Sequence, residues 1–204
     1  MLISIKSHIA DWVNSPFADV SDQPWEITSS AAALIREALT NLGTGYRIED
    51  DIAVHHSARV EAGAIIKPPA ILAPESFIAS HCYLRGGVFL GAGCSVGPGC
   101  ELKSSFVFSG SAIAHFNYIG DSIVGGDCNV EAGAVVANCR NEFIDKAIRV
   151  KWGKEIVETG GHKFGALIGD GCRIGANAVL APGTVLEPNT VIPRLALVDQ
   201  LLQQ

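Results

Sequence analysis

A hydrophobic residue returns at every sixth position along most of this chain, and few folds accommodate that period. From Ile48 the series runs Ile48, Val54, Val60, Ile66, Leu72, Ile78, Leu84, Leu90, Val96, Leu102, Phe108 and Ala114, and ten of these twelve are aliphatic. It resumes at Val124, Val130 and Val136, and again at Ile168, Ile174, Leu180, Leu186 and Ile192. Four residues past each repeat position stands a small or compact residue: Ala58, Ala64, Ala70, Ser76, Cys82, Val88, Cys94, Cys100, Cys128, Ala134, Cys172, Ala178, Thr184 and Thr190. A helix needs a period of 3.6 and a simple strand 2.0. Six fits short strands joined by turns, each hexad forming one side of a three-sided coil. The runner-up, an antiparallel β-sandwich, would need two-residue alternation and turn signals every 8–12 residues, which this sequence lacks.

The same register accounts for the cysteines. Five of the six (Cys82, Cys94, Cys100, Cys128 and Cys172) fall on the small, inward position. Zinc or disulfide chemistry would need CxxC-like spacing or a secretory context, so these read as buried thiols acting as small hydrophobes. Only Cys139 lies off that position. Charged residues make up 18% of the chain, against about 25% in an ordinary soluble domain, so more surface than usual must be hidden, which argues for an oligomer. Fifteen basic residues against 21 acidic ones leave a net charge of −6, which argues against a nucleic-acid partner. No stretch approaches the roughly 20 apolar residues of a membrane span. The first residues, "MLISIKSHIADWVNS", lack the apolar core of a signal peptide. The expectation is a cytoplasmic protein.

Three segments stand outside the repeat. Residues 1–47 hold "TSSAAALIREALTNLG", which reads as one short helix capped by Thr28 or Ser29 and ended by Gly43. Residues 140–163, inside the repeat domain of 48–193, have no hexad register. There "IRVKWGKEIVET" reads as a hairpin turning at Gly153, and an excursion of this size from a solenoid serves function or an interface. The tail, 194–204, reads as a final short helix over the last coil.

Some residues do not belong to the scaffold. Arg85 and Lys103 each directly follow a repeat residue and lie one coil apart, so they should stack on adjacent rungs about 4.8 Å apart. The pair reads either as solvated charges or as a phosphate clamp. In "IAHFNYIGDS", residues 113–122, the period stumbles at His115. A lone histidine is more often structural than catalytic, but Glu101, Tyr118, Asn129 and Asn138 keep it company, and a histidine with an orienting carboxylate can act as a general base. His55, His56, His81 and His162 are not spaced to join it in a three-histidine metal site. No metal is expected.

From about Leu84 to Pro193 the blocks "LRGG", "ELKSS", "AHFNYIGDSIVGGDCNVEAGAVVAN", "HKFGALIGD" and "VLAPGTVL" resemble, in order, the acetyltransferase domain of the bifunctional glucosamine-1-phosphate acetyltransferase/N-acetylglucosamine-1-phosphate uridyltransferase family. Residues 140–163 resemble its archaeal-type variant. The resemblance implies a left-handed parallel β-helix, a homotrimer with its site between subunits, and acetyl-CoA as co-substrate. It implies His115 as the base, Glu101 as its orienting carboxylate and Asn138 beside the thioester. Arg85, Lys103, Tyr118 and Lys163 would hold the sugar phosphate, Asn129 the sugar, and Ala176 and Pro193 the cofactor. The chain departs from the family pattern at Cys139 (a tyrosine there), Ala176 (a serine) and Gly86 (a proline). The phosphate loop of the uridyltransferase half is expected to be absent, which leaves room for a separate uridyltransferase partner.

These readings predict an N-acetyltransferase acting on an amino-sugar phosphate such as glucosamine 1-phosphate. One rival is acyl transfer to a nucleotide-linked amino sugar. The other is a non-catalytic β-helix serving assembly or sugar-phosphate binding.

Overall fold

In a computed structural model of the chain, which describes residues 3–202, the hexads become short strands stacked into a left-handed parallel β-helix. Each coil has three faces. The first carries Ile65–Ile66, the start of Tyr83–Leu90 and of Glu101–Val107, Tyr118–Gly120, Val135–Val136, Val179–Leu180 and Leu197–Val198. The second carries Ile52–His55, Ala70–Leu72, the ends of those two long strands, Ile123–Val124, Ala166–Ile168 and Thr184–Leu186. The third face is a separate seven-stranded sheet from Arg59–Val60 to Val191–Ile192.

The repeat residues fill the lumen. Leu72, Ile78, Leu84, Leu90, Val96 and Leu102 are fully buried, and so, to within 1%, are Cys82, Cys94, Cys100, Cys128 and Cys172. Their thiols point at backbone carbonyls of the neighbouring coil, as from Cys94 to Phe108 at 3.0 Å and from Cys128 to Gly169 at 3.2 Å. Burial pushes the thiols of Cys82 and Cys94 up to about 11 and about 12.

The break in period is not where the sequence suggests. Leu84 pairs with Leu102 at a spacing of 18 residues, but Leu90 pairs with Val107, Val96 with Ile113 and Leu102 with Ile119, each at 17. The residue is lost at the corner between the first and second faces. Gly86 and Gly87 round it in one coil and Ser104 alone in the next, where the register shifts. Ile119 to Val124 is a second short corner, at Asp121. Ser104 and Asp121 adopt left-handed backbones there, with φ of 47° and 45°. Phe108 and Ala114 continue the six-residue series only because they are apolar. Val107 and Ile113 fill the lumen, and Phe108 is buried outside it. Ile48 is likewise no rung: it lies in Tyr46–Glu49, antiparallel to Ile52–His55.

The second face differs outwardly from the others. Ala53, Ile71, Phe89, Phe106, Ile123, Leu167 and Val185 form one ladder of neighbours pointing out of it, and all are at most 6% exposed. The N-terminal segment covers them. Phe17 meets Phe89 and Phe106 edge-on at 5.1 and 5.0 Å, and Trp12 packs on Phe108 at 5.5 Å. That segment contains two α-helices, Pro24–Ser29 and Ala31–Leu39, after two short 3-10 turns, rather than the single helix expected. The capping signal lies earlier than Thr28: Gln23 and Glu26 form a reciprocal capping box with proline in the first turn. The chain kinks at Ser30 so that Trp25, Ile27 and Ile35 all reach the same sheet.

The excursion forms the expected hairpin, Arg149–Trp152 with Glu155–Glu158, and buries Ile148 and Val150 in that same outer cluster. The tail is not helical: Leu197–Val198 is one more rung, paired with Val179–Leu180. Gln203 and Gln204 lie outside the described residues. Buried Arg140 clamps Asp199 of this tail through two guanidinium nitrogens and also bonds the Pro182 carbonyl.

Candidate active site

Pairing of the first-face strands places Arg85 beside Lys103 and Glu101 beside both Tyr83 and Tyr118. The two stacked cations do not face each other uncompensated. Arg85 donates from Nε to Glu101 at 2.7 Å, and Lys103 Nζ donates to both oxygens of Asp121 at 2.6 and 2.7 Å. Asp121 is 6% exposed and also accepts from Asn138 Nδ2. The Tyr118 phenol lies near Asn138, and burial pushes its ionisation upward, so it stays neutral. Gly120 is needed between them, since a Cβ there would stand 2.6 Å from the Tyr118 oxygen and 2.7 Å from Asn138 Nδ2.

His115 lies exposed on the corner that leads from the third face into the first. It stacks over Gly97 of the coil before, where a Cβ would overlap the Ala114 carbonyl oxygen at 1.6 Å. Among the described residues no hydrogen bond joins His115 to Glu101. The carboxylate expected to orient the histidine is bound to Arg85 instead. Lys163 is exposed where the excursion returns, and the next two residues tie down that return: Phe164 N–H donates to the Asn138 carbonyl and Gly165 N–H to that of Asp121.

The other expected residues sit on the third face. Asn129, paired in register with Ala112 and Arg173, lines a cavity of about 320 Å³ together with Pro193, Glu131, Arg173 and Arg194. Ala176 lies beside it, its N–H donating to Glu131 at 2.8 Å, and Glu131 is held well below the usual carboxylate range by the Arg194 guanidinium. One chain therefore gathers Arg85, Glu101, Lys103, Tyr118 and Asn138 on one face, keeps Asn129, Ala176 and Pro193 on another, and has His115 on the corner between. Asp121, the hub of the first group, is the residue that the sequence reading missed. Spacing alone did not give it: the coil holds 17 residues here, so Gly120 pairs with Lys103, and Asp121 reaches the Lys103 ammonium from the corner beside it.

Residues 70–158 match the family model described as the GMPPB C-terminal domain. The chain is 42% identical over 188 residues to "Bifunctional protein GlmU" of Methanococcus maripaludis strain C7, covering 89% of this chain and 44% of that protein. It is 30% identical over 171 residues to a "Bifunctional sugar-1-phosphate nucleotidylyltransferase/acetyltransferase" of Sulfurisphaera tokodaii, covering 84% of this chain and 41% of the relative. The chain thus spans less than half the length of these relatives. A solved hexapeptide transferase family protein from Anaplasma phagocytophilum aligns with 69% of this chain and 72% of its own at 18% identity and a TM-score of 0.32.

Proposed function

The chain is a hexapeptide-repeat domain of the GlmU acetyltransferase type, and on that premise we propose that it moves acetyl from acetyl-CoA to the amino group of an amino-sugar phosphate, with glucosamine 1-phosphate as the acceptor. The observation that carries the reading is the first-face cluster. Arg85 spends Nε and one Nη on Glu101 and keeps the other Nη free, and Lys103 keeps one of its three N–H donors beyond Asp121. Both free donors lie on neighbouring rungs, where a phosphate can bridge them.

In this mechanism the acceptor's ammonium loses a proton to His115, and the freed nitrogen attacks the thioester carbonyl carbon. The C–N bond forms, the C–S bond breaks, and the second proton given up by the nitrogen goes to the departing sulfur, so coenzyme A leaves as the thiol. Tyr118 and Asn138 supply neutral donors beside the reacting centre. Acetyl-CoA brings the activated acyl group. The third-face cavity at Pro193 suits a phosphorylated donor, because Arg173 in its lining has no carboxylate partner among the described residues. Division of the residues between two faces supports a homotrimer in which one chain's first face meets the next chain's third face, as does the low charge content. Lys163 would complete the phosphate contacts.

A second reading, a β-helix kept for assembly or sugar-phosphate binding without catalysis, is favoured by one observation: both cations already hold a carboxylate. Release of coenzyme A thiol, followed across amino sugars with and without phosphate and including nucleotide-linked ones, decides between them. Turnover restricted to phosphorylated acceptors supports the first reading, and absence of release with every acceptor sinks it.

A further inference from the structure

At one end of the solenoid the lumen is open. Each coil's inward residues are covered by the coil before, but Val54, Val60 and Ile66 of the first coil have none before them. Val60 is 41% exposed, and with Ile52, Ala58 and Ile66 these residues line a mouth of about 460 Å³, rimmed by Arg47, His55 and His56. The N-terminal segment could have capped this mouth, yet it lies along the second face. Solenoids need polar caps on their terminal repeats, and among the described residues none covers this end.

Beside the mouth runs Tyr46–Glu49, the last strand of the 13-stranded sheet, joined to Ile52–His55 through a two-residue turn at Asp50 and Asp51. The bond from His56 N–H to the Gly45 carbonyl, 3.0 Å, sets the phase of this ladder. Bonded and non-bonded pairs alternate in antiparallel strands, so Gly45, Arg47 and Glu49 turn their backbone groups inward. Tyr46 and Ile48 therefore turn theirs outward, to an edge that no strand among the described residues occupies. Ile48 is 48% exposed.

We infer that the mouth and this edge form a docking surface for a second copy of the chain, two mouths meeting head to head with Tyr46–Glu49 paired antiparallel to its counterpart about a two-fold axis at Ile48. The charges select this arrangement. Ile48 opposite Ile48 is a hydrogen-bonded pair, which sets Arg47 of each copy opposite Glu49 of the other, twice, in the closer non-bonded pairs. A parallel pairing in register would instead oppose Arg47 to Arg47 and Glu49 to Glu49. In a lone chain these two side chains meet only each other at 3.4 Å, more than 70% exposed, a contact worth little in water. Because strands stack along the solenoid, such a two-fold runs perpendicular to its axis and combines with a three-fold into a closed assembly. The inference does not depend on the acetyl-transfer reading: however many chains the first face gathers, head-to-head docking doubles the number.

The test is sedimentation velocity on the full chain at micromolar concentration. The wild type should have twice the mass of Arg47→Glu, of Glu49→Arg and of Ile48→Lys. The double swap Arg47→Glu/Glu49→Arg, again self-complementary, should restore the wild-type mass. Circular dichroism matching the wild type checks that the exposed substitutions leave the coil folded. Equal masses for wild type and single variants, or a double swap that stays at the halved mass, would overturn the proposal, and the mouth would then belong to another occupant or to solvent.

Discussion

The first and second faces are built from the same hexads, share one lumen and are joined at one corner, yet their outward rows have opposite fates. On the second face the row Ala53, Ile71, Phe89, Phe106, Ile123, Leu167, Val185 is apolar and clad by the chain's own N-terminal segment and hairpin. On the first, Arg85, Glu101, Lys103 and Tyr118 stay partly open, tied to one another by ion pairs and hydrogen bonds. The lesson is a division of labour: inward residues specify the coil, one outer face anchors it, and the other, partly open, is the one on which the proposed site stands. Substitutions on the two faces should therefore part company, stability moving with one and turnover with the other.

The largest separation is expected at the corner that opens the first face. His115→Ala should lower turnover by on the order of 10²–10⁴-fold, the usual worth of a positioned base, and leave the urea midpoint unchanged. Near-normal turnover would remove the proposed mechanism. The mirror experiment is Phe106→Ala on the second face, where a fully buried ring facing Phe17 is lost. It should cost about 3–5 kcal/mol of stability, read from denaturant unfolding, while the surviving folded fraction keeps its KM.

Breaking the Arg140–Asp199 pair should cost about 3 kcal/mol, because removing one partner strands a buried charge. Arg140 holds Asp199 below the usual carboxylate range, so the pair contributes in full above the unfolded carboxylate's pKa. Its contribution is lost as pH falls through the depressed value. Acid unfolding should thus show a step in the wild type that Asp199→Asn lacks; identical acid profiles would mean that the clamp contributes nothing. Smaller again, Lys103→Ala should weaken phosphorylated acceptors by roughly 1.5–3 kcal/mol more than unphosphorylated ones. An equal loss for both would assign Lys103 to Asp121 and to structure alone. The least costly contrast is between lumen and corner. Maleimide should label one thiol per native chain quickly, at half-buried Cys139, while Cys82, Cys94 and Cys100, buried and raised in pKa, react only on unfolding.

The period, the lumen register and the burial of five thiols were legible in the sequence because each is a local rule. A residue that returns every sixth position in short strands must return to the same side, and only small or apolar groups fit inside. Adjacency of Arg85 and Lys103 followed from the same arithmetic. What tertiary structure alone decided concerns residues that point outward or sit at corners. The slip falls at Ser104 rather than His115 because a corner can close with one residue fewer, and apolar Phe108 and Ala114 concealed the loss. Glu101 went to Arg85 and Asp121 to Lys103 and Asn138, since a charged side chain takes whichever partner stacking brings within about 3 Å. The apolar row on the second face recurs once per coil, a period too long to read while six dominates. Its cover, 3–45 and the hairpin, comes from segments distant in sequence. Spacing along a chain dictates which way a side chain points, and only packing dictates what it meets there.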